Sequence, residues 1–251
     1  MRKLVAMLSL AAVSFGAVAQ KADIVSAVLE YNKKNIANAK KFIDRATPNP
    51  DLGEKNLSKY WYYRGKIYYA IAVSPDSSIR ALDNEPVEKA YESFREELKV
   101  DVKERYSKKD IRESIWNCAL VYLNRGYDKI EAYEDLSQMP EAEAAEAVSN
   151  LIRATEIKED PIIGRVDSST IYTASIVAQY AKDYDQAIAL ANRVIELGYK
   201  NEFGYFNLIN IYKSLDQLDK ALEVIQDAKV AYPNSIDILV EEVNIYIAKG
   251  Q

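Results

Sequence analysis

The stretch DSSTIYTASIVAQYAKDYDQAIALANRVIELGYK (residues 167–200) runs directly into NEFGYFNLINIYKSLDQLDKALEVIQDAKVAYPN (residues 201–234), and the second lies over the first without a gap. Ala187 and Ala221 stand 34 residues apart. Ala191 pairs with Ile225 and Val194 with Ala228 at the same step, while Ile171, Tyr205 and Leu239 form one column and Ala178, Tyr212 and Tyr246 another. A constant step of this length belongs to a unit of two helices and a turn. One such unit cannot bury its apolar face alone, so its neighbours must stack on it, and stacked helices leave a long groove that is first of all a binding surface. The expected fold is all-α, a solenoid of helical hairpins.

Composition agrees with this. The chain has 251 residues, of which 49% are hydrophobic and 28% charged, and only 8 Gly and 7 Pro, too few for an all-β fold built on tight turns. Residues 1–19 form a separate object: Arg2 and Lys3 are followed by an almost wholly apolar run from Leu4 to Gly16, then by Ala17-Val18-Ala19 and Gln20. That is the order of a secretory signal peptide, and the run is shorter than the roughly 20 residues a membrane-spanning helix needs. The expectation is therefore an exported chain, periplasmic or secreted, with no stable membrane insertion of the mature protein. Lipid attachment would require a cysteine at the cleavage site, where Gln20 stands.

Cys118 is the single cysteine, so no internal disulfide can form and the fold must be held by packing. It lies in the apolar stretch from Ile115 to Leu123, which assigns it to the core. Removal of residues 1–19 takes away Arg2 and Lys3 and leaves 31 Lys and Arg against 38 Asp and Glu, a net charge of −7. An acidic chain without a basic stripe is a poor partner for nucleic acid, and no basic amphipathic helix suited to a membrane surface is visible.

The rest of the chain reads as further hairpins. Residues 20–56 hold the first, with Ile24, Val25, Val28 and Leu29 on one helical face, a break at Lys33-Lys34-Asn35, and Ile36, Ala39, Ile43 and Ala46 on a second helix ending before Pro48 and Pro50. Residues 57–106 form a unit with an insertion around residues 74–78 and 84–86, read as lengthened helix ends and a loop. Residues 107–166 are irregular: Asp110 to about Leu136 reads as one long helix or a broken one, with Gly126 as a bend or as the glycine of the repeat. Glu141 to Ile157 is a strong helix on which Ala147, Leu151 and Ala154 mark the packed face. Residues 167–200 and 201–234 are regular units. Residues 235–251 supply the first helix of a further unit or a capping helix, and its apolar character points to the front part of a longer array.

In residues 57–106, Trp61, Arg64, Gly65 and Tyr68 reproduce the spacing W-x2-L-G-x2-Y, with Arg for Leu, and Ala90 and Phe94 reproduce the later A-x3-F. The chain thus resembles the tetratricopeptide repeat (TPR) family. Gly65 and Ala90 are expected to let the two helices approach closely, and Trp61 and Tyr68 to fill the space between successive units. The resemblance implies that the first helix of each unit lines a concave face. By position that face takes Tyr62, Lys66 and Tyr69 from one unit, Tyr172, Ile176 and Gln179 from another, and Phe206, Asn210 and Lys213 from a third. Mixed aromatic and amide surfaces of this kind suit peptide binding. One TPR subclass grips carboxylates through lysine and asparagine. Asn207, Asn210 and Lys213 resemble part of that set, but Tyr62 stands where a clamp lysine is wanted.

Chemistry finds little to work with. The chain has no histidine, and therefore no imidazole base or His metal ligand. It contains no phosphate-binding glycine loop and no calcium loop, and Asp167-Ser168-Ser169 reads as a helix start. Glu96-Glu97, Glu159-Asp160 and Glu241-Glu242 are adjacent on helices and point about 100° apart, so they read as solvated surface. The expectation is a non-catalytic scaffold without cofactor or metal, binding a protein or peptide of the cell envelope. The alternatives are a receptor module for a small ligand such as a glycan, stacking on Trp61, Tyr62 or Tyr69, and a non-catalytic part of a longer enzyme or assembly protein.

Overall fold

Asp167, Asp183 and Ser235 each stand immediately before a helix and accept a hydrogen bond from a backbone N–H of its first turn, those of Thr170, Gln186 and Ile238. Such caps satisfy donors that the helix itself cannot. In the computed structural model, which describes residues 19–101, 103–199 and 201–250, they help divide the chain into α-helices, and no strand occurs among the described residues. The helices are α1 (19–32), α2 (Ile36–Arg45), α3 (Glu54–Ala72), the single turn α4 (Ser77–Arg80), α5 (Pro86–Val100), α6 (Lys108–Glu131), α7 (Glu141–Glu159), α8 (Ser168–Tyr180), α9 (Tyr184–Glu196), α10 (Phe203–Ser214), α11 (Leu218–Ala231) and α12 (Ile236–Ala248). None of them is long and apolar enough to cross a membrane. The segment expected to be a signal peptide, residues 1–19, lies almost wholly outside the described residues, which within it include only Ala19.

The chain forms two compact units that divide within α6, after Val121. In the first, Ile24, Ala27 and Val28 of α1 and Ala39 and Ile43 of α2 are buried, whereas Val25 and Leu29 are exposed. The buried face of α1 is thus rotated away from the one expected, with Ala27 inside and Val25 and Leu29 outside. Arg45 pairs with Asp23 across this hairpin. The next hairpin, α3 with α5, is packed closely: an added Cβ on Gly65 would meet the ring of Phe94 at 2.6 Å, and Ala90 and Phe94 are fully buried. Tyr68 reaches back to the preceding hairpin and donates to Asp44 Oδ1 at 2.6 Å. Trp61 does not fill that inter-hairpin space; it sits half-buried beside α5 of its own hairpin. The insertion contains a helical turn, α4, capped by Asp76, and Pro86 occupies the first turn of α5.

Helix α6 runs unbroken through Gly126. In the second unit that glycine has the role of Gly65, since a Cβ on it would meet Leu151 Cδ2 of α7 at 2.7 Å. Helices α8 with α9 and α10 with α11 repeat one another to the level of single backbone bonds. Asp183 N–H donates to Ala178 O at 3.1 Å, and Gln217 N–H, 34 residues later, to Tyr212 O at 2.9 Å. Lys182 and Asp216 hold φ of 57° and 56° in these turns, and Gly250, one further step on, holds 74°. A left-handed residue just after a helix closes its last carbonyls. Ala187, Ala191, Val194, Ala221, Ile225 and Ala228 are all fully buried. The second column breaks at its end, where Ala178 is buried, Tyr212 half-buried and Tyr246 exposed. No described helix lies over Tyr246 as α9 lies over Ala178.

Candidate docking cleft

Tyr172, Ile176 and Gln179 fall at i, i+4 and i+7 of α8 and therefore form one stripe; Phe206 and Asn210 repeat the first two positions on α10. The two helices pack against each other, and between the stripes lies a cleft of about 400 Å³. Tyr172, Ile176, Gln179, Phe206 and Asn210 all line it, joined by Tyr180, Phe203 and Asn207. Lys213 does not: its ammonium pairs with Glu241 of α12. The lining therefore carries four aromatic rings, one aliphatic side chain and three amides, and no formal charge.

A short polar chain forms the floor. Gln179 Nε2 donates to Asn207 Oδ1 at 3.1 Å, Asn207 Nδ2 donates to Ser175 Oγ at 2.6 Å, and Ser175 Oγ donates to the Tyr172 carbonyl at 2.7 Å. Ser175 and Asn207 are buried, so these bonds satisfy groups that water does not reach. They also fix the rotamer of Gln179. Its side-chain carbonyl and the Asn210 amide bond no other described residue, leaving both a donor and acceptors open to the cleft. Sequence reasoning missed Tyr180 and Phe203. Tyr180 continues the α8 stripe four residues beyond Ile176, a spacing that would have found it; Phe203 begins α10 and precedes Phe206 by three.

In the first unit, Tyr62, Lys66 and Tyr69 share a stripe of α3, but its rings are engaged. Tyr62 stacks on Tyr106 with ring centroids 3.8 Å apart and planes 4° from parallel, and meets Phe94 and Tyr63 edge-on. Tyr69 is half-buried close to Cys118, and burial raises its phenol pKa. Cys118 itself is fully buried, and burial pushes its thiol up to about 12, consistent with an inert core residue. Trp61 lines a separate opening between α3 and α5 with Arg64, Tyr91 and Arg95. Arg64, which replaces the leucine of the TPR pattern, lays its guanidinium 4.9 Å from the Tyr68 ring centroid and donates to Ser93 Oγ at 2.6 Å. One face of the Tyr62 ring is thus occupied by Tyr106.

Two of the adjacent acidic pairs are not solvated surface. Asp160 is buried and holds the turn after α7 through Ile162 N–H. Glu97 is buried against Ser58, whose Oγ donates to it at 3.2 Å, with Asp101 nearby. Burial and then the Asp101 carboxylate push its pKa up to about 7. Arg105 bridges Asp101 and Glu54. Of the third pair, Glu241 and Glu242 bind Lys213 and Lys229. No cluster of three or more His, Cys, Asp or Glu that could hold a metal ion occurs among the described residues.

No protein-family model matches the chain, and no curated protein does. Among solved structures it is similar to Pseudomonas aeruginosa pilF, at 12% identity over 91% of this chain and 99% of that one, with a TM-score of 0.34. So distant a likeness assigns no role, and the description of the fold rests on the helix packing above.

Proposed function

We propose that the chain is a TPR-type interaction scaffold whose second unit docks a peptide segment of a partner protein in the cleft between α8 and α10. The observation that carries this reading is the convergence of Tyr172, Ile176, Gln179, Phe206 and Asn210 on one uncharged depression with a pre-ordered amide at its floor. Rigid aromatic rings offer contact area at small entropic cost, and amides match the donors and acceptors of a peptide backbone. With Lys213 neutralised by Glu241, the cleft suits a neutral aromatic or aliphatic side chain better than a terminal carboxylate. The role is binding rather than catalysis. The order of residues 1–20 supports an exported setting, periplasmic or secreted, and hence a partner in the cell envelope.

Selection of short displayed peptides on the purified protein tests this. Enriched peptides should carry an aromatic or large aliphatic residue without flanking acidic bias, and Tyr172→Ala combined with Phe206→Ala should weaken their binding at least tenfold while the helical circular dichroism stays unchanged. Equal binding by the folded double variant would place the docking site elsewhere.

A further inference from the structure

Glu97 and Asp101 stand one helical turn apart where α5 ends, and both are buried. The place does not suit two negative charges. The last turn of a helix presents unpaired carbonyls, which disfavour anions, and carboxylates four residues apart repel each other. One guanidinium is shared among the acids here: Arg105 Nη1 donates to Asp101 Oδ1 at 2.9 Å and to Glu54 Oε1 of α3 at 2.7 Å. Asp101 Oδ2 also accepts from the Tyr106 N–H at 3.0 Å. Glu97 makes no ion pair among the described residues. It accepts from Ser58 Oγ at 3.2 Å and shares a side-chain hydrogen bond with Asp101. Two carboxyl groups can share such a bond only if one of them carries a proton. Asp101 already takes the charge-assisted bond from Arg105, so the proton belongs to Glu97.

The bonds of Asp101 fasten the connection between α5 and α6. Tyr106, held there by its N–H, stacks its ring on Tyr62 of α3 with centroids 3.8 Å apart. The connection depends on these contacts, because Glu104 within it holds φ of 49°, a left-handed conformation unfavourable for a residue with a side chain. Helix α6 begins independently of them: Ser107 Oγ accepts from the Lys109 N–H at 3.1 Å. Arg105 and Tyr106 can therefore come away while α6 keeps its cap.

We propose that Glu97 is the trigger of a pH-released latch: its proton fastens Arg105 and Tyr106 to α3, and loss of that proton lifts them and opens the covered face of Tyr62. Ionised Glu97 no longer donates to Asp101, and it joins Asp101 and Glu54 around the single Arg105 guanidinium. Burial, then the Asp101 carboxylate, place this step at about pH 7. The other groups facing Glu97 do not titrate there. Burial raises the phenols of Tyr62 and Tyr106, and the bond to Glu54 raises Arg105. Asp110 of α6, Tyr63 of α3 and Tyr31 of α1 are the further ionisable groups around Tyr62. The first unit thus withholds an aromatic face of α3 at acidic pH and presents it at alkaline pH.

Hydrogen exchange at the Tyr106 amide, whose N–H is part of the latch, tests the proposal on the purified protein. After correction for the pH dependence of free-peptide exchange, its protection should fall at least about tenfold between about pH 5.5 and about pH 8.5, while amides in the middle of α3 keep theirs. Glu97→Gln retains a neutral donor beside Asp101 and should hold the protection constant across that range. Near-ultraviolet circular dichroism gives a second reading on the parent chain: the signal of the Tyr62–Tyr106 stack, taken as the difference from Tyr106→Leu, should fade over the same interval. A parent protein that keeps either the protection or the stack at the alkaline end overturns the proposal. So does a loss that Glu97→Gln shows equally, or one that spreads through α3, which would be general unfolding. Peptide binding between α8 and α10 is measured separately, so either reading can fail alone.

Discussion

Phe94 leaves Gly65 no room for a side chain: the nearest ring carbon lies 2.6 Å from the place a Cβ would take. Gly126 stands to Leu151 in the same relation, at 2.7 Å. Ala90 follows Gly65 by 25 residues and Ala147 follows Gly126 by 21, whereas Ala187 follows Ser175 by only 12. The helix contact is retained and the surplus residues are looped out between the helices. Gly65→Ala should therefore destabilise the protein. Overpacking a full core costs about 1–3 kcal/mol, and the better helix propensity of Ala returns up to about 1 kcal/mol. A net loss of about 1–2 kcal/mol in urea unfolding is expected. A variant as stable as the parent would show that Phe94 has slack.

Glu97 gives stability an unusual pH dependence. Its folded-state pKa is raised from 4.5 to about 7, so the folded protein holds this proton more tightly than the unfolded chain. Its contribution is complete below pH 4.5 and is lost as pH rises through about 7. The loss amounts to as much as about 3 kcal/mol between those limits. The carboxylates of Asp23, Asp76, Asp83, Asp135 and Asp167 have lowered pKa values and act with the opposite sign at more acidic pH, outside this window. Glu97→Gln keeps a neutral group beside Ser58 and Asp101. Its melting temperature should change little from about pH 5 to 8 while that of the parent falls. Parallel curves for the two proteins would refute the assignment.

The fold was legible because its decisive contacts are between small and large residues at a fixed step. Ala187 and Ala221 could be paired by counting, and the structure buries both. The features that sequence reading missed depend on what lies across a helix rather than along it. Glu97 reads as surface next to Glu96, yet α3 covers it through Ser58. Val25 and Leu29 fit the period of α1, yet Ala27 is the residue turned to the core. Tyr246 continues a buried column and is exposed because a column records register, not the presence of the next helix. For the cleft, the stripes on α8 and α10 were visible as spacing, while the capture of Lys213 by Glu241 required knowing where α12 lies.

Ala221 tests the regular part of the array. It is fully buried between α10 and α11, in the cluster that also holds Ile209, Ile225 and Ala228. Ala221→Leu adds three carbons at a fully buried position, and should cost about 1–3 kcal/mol. Thermal unfolding followed by circular dichroism reads this directly. An unaltered melting curve would mean that the two helices separate to admit the side chain without loss.

Asn207 couples the stability of the second unit to the shape of its cleft. Its Oδ1 accepts from Gln179 and its Nδ2 donates to Ser175, and it is itself buried. Asn207→Ala removes both bonds and leaves the Ser175 hydroxyl, which still donates to Tyr172, without a donor directed at it. Leaving buried polar groups unpaired costs about 1–3 kcal/mol. The same change leaves Gln179 held only by its 3.4 Å bond to the Ser175 carbonyl, so affinity for a selected peptide should fall even at temperatures where the variant is fully folded. Ser175→Ala separates the two effects. It strips the acceptor from Asn207 Nδ2 but keeps the bond from Gln179 to Asn207, and should lower stability while sparing peptide affinity. If both variants weakened binding equally, Gln179 would owe its position to packing rather than to Asn207.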